Sequence, residues 1–262
     1  MNTIVITGST RGIGFALASE FLKKGCQVVI SGRTDASVER SVEKLAVEYS
    51  RNQIAGFPCD VTQYDELISL WNLSKSKYGS IDIWINNAGI SNVQASTWEI
   101  PVEEIKAVIE TNMLGELFGT KVAMQGFLEQ GFGALYNVEG LGANGKINNV
   151  EGLSIYGSTK AGLHYFNRCL FKENEHPKII VGALQPGMVL TDMIMDQYKN
   201  QPEEWEKVKG ILRVIANPID DVVVWMTNKI LKNTKNGAYF RYGGTVRILK
   251  RMSLSPFRKK IR

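Results

Sequence analysis

Tyr156 and Lys160 stand four residues apart in SIYGSTKAG, residues 154–162. On a helix that spacing returns to the same face, so a phenol and an ammonium would sit side by side. A free tyrosine, with a pKa of ~10, donates poorly at neutral pH; an adjacent cation stabilises the phenolate and lowers that value. The pair reads as a catalytic acid beside its cation, or as two polar residues that fall four apart by chance. The rest of the chain decides between them.

A second signal lies near the N-terminus. TGSTRGIG, residues 7–14, places Gly8, Gly12 and Gly14 between an apolar run and a helical pattern, the setting in which a glycine loop cradles a dinucleotide. Gly8 would allow the tight turn, Gly12 the approach of a pyrophosphate, and Gly14 close packing of helix on sheet. The helix N-terminus would offer its free N–H groups to the phosphates. The next apolar run ends in SGR, where an acid would grip an adenosine ribose. Either arginine alone would be an ordinary solvated side chain. Together, Arg33 here and Arg11 in the loop suit a 2′-phosphate, which favours NADP(H) over NAD(H). Asp60, in CDV, reads equally as an acceptor for the adenine amino group and as a cap for the helix after it.

These residues need a scaffold, and the hydrophobic pattern supplies one. Short β-branched runs predict strands at 3–8, 26–33, 53–61, 81–89, 133–140 and 179–187, with a seventh at 237–244. Helical patterns lie between them, including one long helix over 102–131 and another over 155–173 that carries Tyr156 and Lys160. This alternation predicts an α/β fold: one Rossmann-type, doubly wound parallel sheet over residues 1–244, with helices on both faces. Residues 188–216 follow the sixth strand, where such sheets place their ligand crevice, and are expected to cover a substrate.

The chain has 262 residues, of which 44% are hydrophobic and 22% charged, as in an ordinary globular protein. No run is long enough to span a membrane, and MNTIVITGS leads into a strand rather than reading as a secretory signal. Cys26, Cys59 and Cys169 have no metal-like spacing, so no metal site is expected, and isolated thiols suit a reducing cytoplasm. The net charge of +5 is concentrated at one end: residues 245–262 hold seven Lys and Arg and no acid, leaving 24 basic against 26 acidic residues elsewhere. The balance therefore gives no reason to expect nucleic-acid binding. The tail interleaves apolar and basic residues, so it reads as a sheet-capping end or as a weak contact with an anionic membrane surface.

Taken in order, TGSTRGIG, Asp60, NNAG at 86–89, Asn112 in ETNMLG, YGSTK at 156–160 and PGMVLTD at 186–192 resemble the short-chain dehydrogenase/reductase family. The resemblance implies reversible hydride transfer between a nicotinamide cofactor and a small-molecule carbonyl or alcohol. It makes Tyr156 the proton donor, and gives Lys160 the further task of holding the nicotinamide ribose while Asn112 helps hold a proton-relaying water. It assigns the cofactor to Gly8, Ser9, Thr10, Arg11, Gly12, Ile13 and Gly14 in the first loop. Arg33, Asp60 and Val61 would follow, then Asn87, Ala88 and Gly89 in NNAG, whose backbone would pass the cofactor's middle, with Asn86 and Gly89 the useful positions. Tyr156 and Lys160 themselves, and Pro186, Gly187, Val189 and Thr191, would complete the nicotinamide end. Homodimers or homotetramers, paired through the long helices, are also implied.

One feature departs from this pattern. The family's substrate-polarising serine follows the fifth strand, but here NVEG places Gly140 at that position with Glu139 beside it. A protonated Glu139, Asn144 or a backbone N–H would have to replace the serine, or the protein binds cofactor without turnover. The segment NVEGLGANG, with YGSTKAGL and PGMVLTDM, resembles the chlorophyll b reductase branch, which implies a large, flat, apolar aldehyde or ketone.

Overall fold

The computed structural model describes residues 1–140, 143 and 151–243. The basic tail and Asn144 lie outside these residues. Seven strands, β1 (Thr3–Ile6), β2 (Gln27–Gly32), β3 (Ile54–Pro58), β4 (Ile83–Asn86), β5 (Gly133–Val138), β6 (Ile179–Gln185) and β7 (Ala238–Arg241), build one sheet. Its order is β3-β2-β1-β4-β5-β6-β7, and every neighbouring pair is parallel. Each is shorter than its apolar run: residues 59–61 and 87–89 leave the sheet as loops.

Parallel strands buried on both faces must be apolar throughout, and alternate residues serve opposite layers. Ile4, Ile6, Val28 and Ile30 pack into one core with α1 (Gly12–Lys23), α2 (Asp35–Ala46) and α9 (Ile219–Lys232). Val5, Val29, Trp84, Leu135 and Val181 point the other way, into a core with α3 (Tyr64–Tyr78), α5 (Gly115–Gln130) and α6 (Ser154–Glu173). Small residues set the spacing of that second layer. Gly126 lies where a Cβ would overlap Trp71, and Gly115 where one would come within 2.6 Å of Val61.

Two elements differ from expectation. The helix predicted over 102–131 is interrupted: α4 (Val102–Ile109) passes into a π-helical turn, Glu110–Leu114, before α5 begins. Such turns free backbone groups from the regular ladder and are frequent at functional sites; this one contains Asn112. Helix α9 has no counterpart among the expected elements, and its run VVVW is β-branched and aromatic. Its ends are nevertheless helical in character, with Asp220 and Asp221 in the first turn and Lys229 and Lys232 in the last.

Residues 188–216 form α7 (Asp192–Asp196) and α8 (Pro202–Ile215). A bridge between Val189 and Asn217 closes the base of this segment. Its tip is tied to the loop after β4, where Gln94 N–H donates to the Gln197 carbonyl (3.0 Å) and Gln201 Nε2 to the Gln94 carbonyl (2.7 Å). Among the described residues, no helix is long and apolar enough to cross a membrane.

Candidate active site

Strand order reverses between β1 and β4, so the loops at their carboxyl ends diverge and leave a crevice. A cavity of about 920 Å³ opens there. One end is made by the glycine loop. Gly8 has φ +62° and packs so tightly on Ala88 that a Cβ would come 2.7 Å from its Cα. Asn87 fixes that contact by donating from Nδ2 to the carbonyls of Thr7 and Gly8, both at 3.0 Å. Helix α1 begins with no side-chain cap, so the N–H groups of its first turn face the cavity beside Thr10, Arg11, Gly12 and Ile13. A pyrophosphate fits this arrangement of close backbone and free donors.

The structure brings most of the expected cofactor residues to this cavity: Val61, Ala88 and Gly89 line its middle, and Pro186, Gly187, Val189 and Thr191 line the far wall. Ser9 lies behind the loop. It is fully buried, and its hydroxyl donates to the Ile6 carbonyl (2.7 Å) while accepting from Ser31 N–H (2.9 Å), tying β1 to β2. Asp60 lines the cavity, but its Oδ1 accepts from the backbone and hydroxyl of Thr62 (3.0 and 2.9 Å), so it closes a local turn rather than capping α3. Arg33 is exposed at the cavity edge, next to Thr34 and Ser37 at the N-terminus of α2. Sequence reading missed Thr34 and Ser37, although a Thr before an acidic first turn is a recognisable cap. Arg11 is engaged elsewhere: its guanidinium lies 3.5 Å from Asp196 and 3.9 Å from Asp192 on α7.

The catalytic candidates converge at the other end. Asn112 is fully buried and clamps the loop after β4, with Nδ2 donating to the Ile90 carbonyl and Oδ1 accepting from Ile90 N–H, both at 2.9 Å. Its Nδ2 also reaches Thr159 on α6 at 3.1 Å. This positions α6 so that Tyr156 and Lys160 enter the cavity. The Lys160 ammonium donates to the Val138 carbonyl at 3.1 Å, and burial pushes the Tyr156 hydroxyl up to about 12. Burial also lowers the lysine, while Glu116 and Glu139 pull it back up.

Gly140 occupies the position expected for the serine, and a Cβ there would overlap the Tyr156 hydroxyl. The phenol fills the space a serine side chain would need. Glu139 faces away from that space. Its carboxylate is fully buried and accepts from Tyr239 Oη (2.8 Å) and Asn167 Nδ2 (3.1 Å), with His164 Nδ1 at 3.1 Å. Those bonds extend a ladder: Trp84 Nε1 donates to Asn86 (2.8 Å), Asn86 to Asn137 (2.9 Å) and Asn137 to Asn167 (2.7 Å). Asn86 is therefore part of the interior framework, and Glu139 is committed to the same network.

Leu153, Met188, Met193, Ile194, Tyr198 and Leu212 also line the cavity and give it an apolar wall. Among the described residues, no group of three or more His, Cys, Asp or Glu is placed to hold a metal ion.

Comparison with known proteins agrees with this architecture. A chlorophyll(ide) b reductase of Oryza sativa, the probable NYC1 protein, is 36% identical over 208 residues, covering 73% of this chain and 41% of that protein. The chlorophyll(ide) b reductase NOL of Arabidopsis thaliana is 35% identical over 233 residues, covering 87% of this chain and 64% of that protein. The chain thus spans roughly two fifths to two thirds of the length of these relatives. In three dimensions it matches an actinorhodin polyketide ketoreductase variant solved with NADPH, with a TM-score of 0.81, 25% identity and coverage of 93% of this chain and 96% of the other. The profile of the short chain dehydrogenase family matches residues 2–202. With the seven-stranded sheet, the glycine loop and the Tyr156–Lys160 helix in their places, the chain belongs to the short chain dehydrogenase family.

Proposed function

We propose that the protein is an NADP(H)-dependent reductase of a bulky, apolar aldehyde or ketone. The observation that carries this reading is the convergence of Tyr156, Lys160 and the Asn112-clamped loop at one end of a cavity whose other end is the glycine loop. NADPH, when bound, supplies a hydride to the carbonyl carbon. The Tyr156 hydroxyl protonates the developing alkoxide, Lys160 provides the cation that stabilises the phenolate left behind, and Asn112 holds the Ile90 loop against both. Arg33 and the N-terminus of α2 support the 2′-phosphate assignment, since both favour an anion. The apolar wall supports a large hydrophobic substrate, and the relatives named chlorophyll(ide) b reductases suggest an aldehyde-bearing tetrapyrrole. Leu114, Leu128 and Tyr165, exposed on and beside α5 and α6, suit pairing as a homodimer or homotetramer. Free cysteines are consistent with a cytoplasmic setting.

The test is NADPH consumption followed by absorbance across a panel of aldehydes and ketones, chlorophyll b included. Tyr156→Phe should lower turnover by about 10²-fold or more while leaving cofactor binding intact. The second reading, a nucleotide-binding protein without turnover, is favoured by the glycine at position 140; it requires that NADPH binds and no carbonyl is consumed. Arg33→Ala should weaken NADPH binding at least about tenfold more than NADH binding, given the strength of a charge-assisted phosphate contact; equal losses in titration would sink the 2′-phosphate assignment.

A further inference from the structure

Beneath the catalytic residues lies a carboxyl that the mechanism has not used. Glu116 is 4% exposed and sits one helical turn beyond Asn112, on the α5 face turned to the sheet, where its backbone carbonyl accepts from Asn86 Nδ2 at 3.4 Å. The next turn of that face carries Thr120, which accepts from Asn86 Nδ2 at 3.2 Å. Asn112 touches Thr159, the residue before Lys160, and Glu116 and Lys160 each act on the other's charge, which puts the buried carboxyl within electrostatic reach of the buried ammonium. Its Oε1 is fully buried and has no hydrogen-bond partner among the described residues.

An ionised carboxylate left in that state is strongly unfavourable, whereas a neutral carboxylic acid is tolerated and retains a proton to give. Burial raises Glu116 to about 8, with Lys160 opposing the rise and Glu139 adding to it. These are the charged groups that face it: Lys160 from α6 and Glu139 from the end of β5. The sheet's other contribution, Asn86 on β4, is uncharged, and α3 sends Trp71 toward this helix while its Lys75 pairs with Glu129 near the far end.

We propose that Glu116 is a positioning residue that acts through Lys160, storing one proton within electrostatic reach of the catalytic lysine and returning it there during reduction. The inference rests on the reductase reading. Tyr156 loses its hydroxyl proton to the alkoxide formed by hydride transfer. The phenolate recovers a proton from the Lys160 ammonium, and the resulting amine takes the proton of the Glu116 carboxylic acid through one bridging water. When product leaves, Lys160 passes its proton back to the Glu116 carboxylate and takes a replacement from solvent. Each turnover thus consumes one hydride and one solvent proton, with Glu116 restored.

Glu116→Gln keeps shape and removes the titration. Two measurements test it. Infrared difference spectra of the full chain, titrated from pH 6 to 10, should show a protonated carboxyl at neutral pH that ionises near pH 8 and is missing from Glu116→Gln. The pH profile of kcat should lose its limb near pH 8 in the variant, with kcat at pH 7 lower by about tenfold and KM nearly unchanged, a modest share of what a proton-transfer group contributes. The proposal is overturned if no such carboxyl band exists, or if Glu116→Gln keeps the wild-type profile while Tyr156→Phe is inactive. In that last case the reductase reading stands alone. Absence of turnover in the wild type overturns the reductase reading and the delivery step with it, while the infrared titration still reports the protonation of Glu116.

Discussion

The contact between Gly140 and Tyr156 decides how this site differs from the pattern its sequence suggests. A hydroxyl-bearing side chain at position 140 would overlap the phenol, so the absence of the serine and the placement of the tyrosine are one fact. Gly140→Ala should therefore fold normally, because the obstructing atom is the far end of a side chain that can turn aside. It should lower kcat by about tenfold or more, a displaced proton donor being costly, while cofactor affinity, measured by fluorescence titration, stays close to wild type. A retained kcat would show that the phenol need not occupy this place. Tyr156, Lys160 and Asn112 were legible in the sequence because helical spacing and motif order are local properties. Their electrostatics were not. Burial raises the Tyr156 hydroxyl, and the Lys160 ammonium donates to the Val138 carbonyl on β5, neither of which helical spacing shows. Glu116 escaped notice for a related reason: a glutamate in a helix normally faces solvent, and only the neighbouring Asn112 marks that face as the buried one.

Among the elements, the strands were readable because parallel strands leave uninterrupted apolar runs, yet each run overshot its strand. Much of the excess past the carboxyl ends, such as residues 59–61 and 87–89, is loop that lines the cavity. Helix α9 was hidden by β-branched residues whose burial against α1 and the sheet overrides their weaker helix propensity. Its Met226 is fully buried in that core. Met226→Ala should destabilise the protein by about 2–5 kcal/mol, measured by denaturant unfolding; a change below about 1 kcal/mol would mean that α9 is not integral to the first core. The break at Glu110–Leu114 was equally unreadable, since what holds Asn112 there is the backbone of Ile90, more than twenty residues away in sequence.

For the whole molecule, buried titration should appear in stability as well as in catalysis. Glu116 has a reference value of 4.5 and is raised to about 8 in the folded chain. Between these values the folded state holds a proton that the unfolded state has released. The stabilisation from that proton is full below about pH 4.5 and is lost as pH rises through about 8. Glu116→Gln should remove this slope, so thermal denaturation should show the variant gaining on the wild type between pH 5 and pH 9. A difference in Tm that is constant with pH would contradict the raised value. The alternation of strand and helix followed from sequence, whereas the junction between Glu116, Lys160 and Glu139 arises only once α5, α6 and β5 have packed.

The interior ladder from Trp84 through Asn86, Asn137 and Asn167 to Glu139 has a consequence for how this protein can change over time. Each rung spends its donor on the next rung's acceptor, so replacing one asparagine by an apolar residue strands a partner on each side. A substitution harmful alone becomes tolerable only after its neighbour has already changed. The ladder is thus strongly epistatic, and mutational routes across it are narrow. The side chains of the apolar wall, Met188, Met193, Ile194 and Leu212, have no hydrogen-bond donors to strand, so substitutions there can accumulate one residue at a time while the Tyr156–Lys160 end stays fixed.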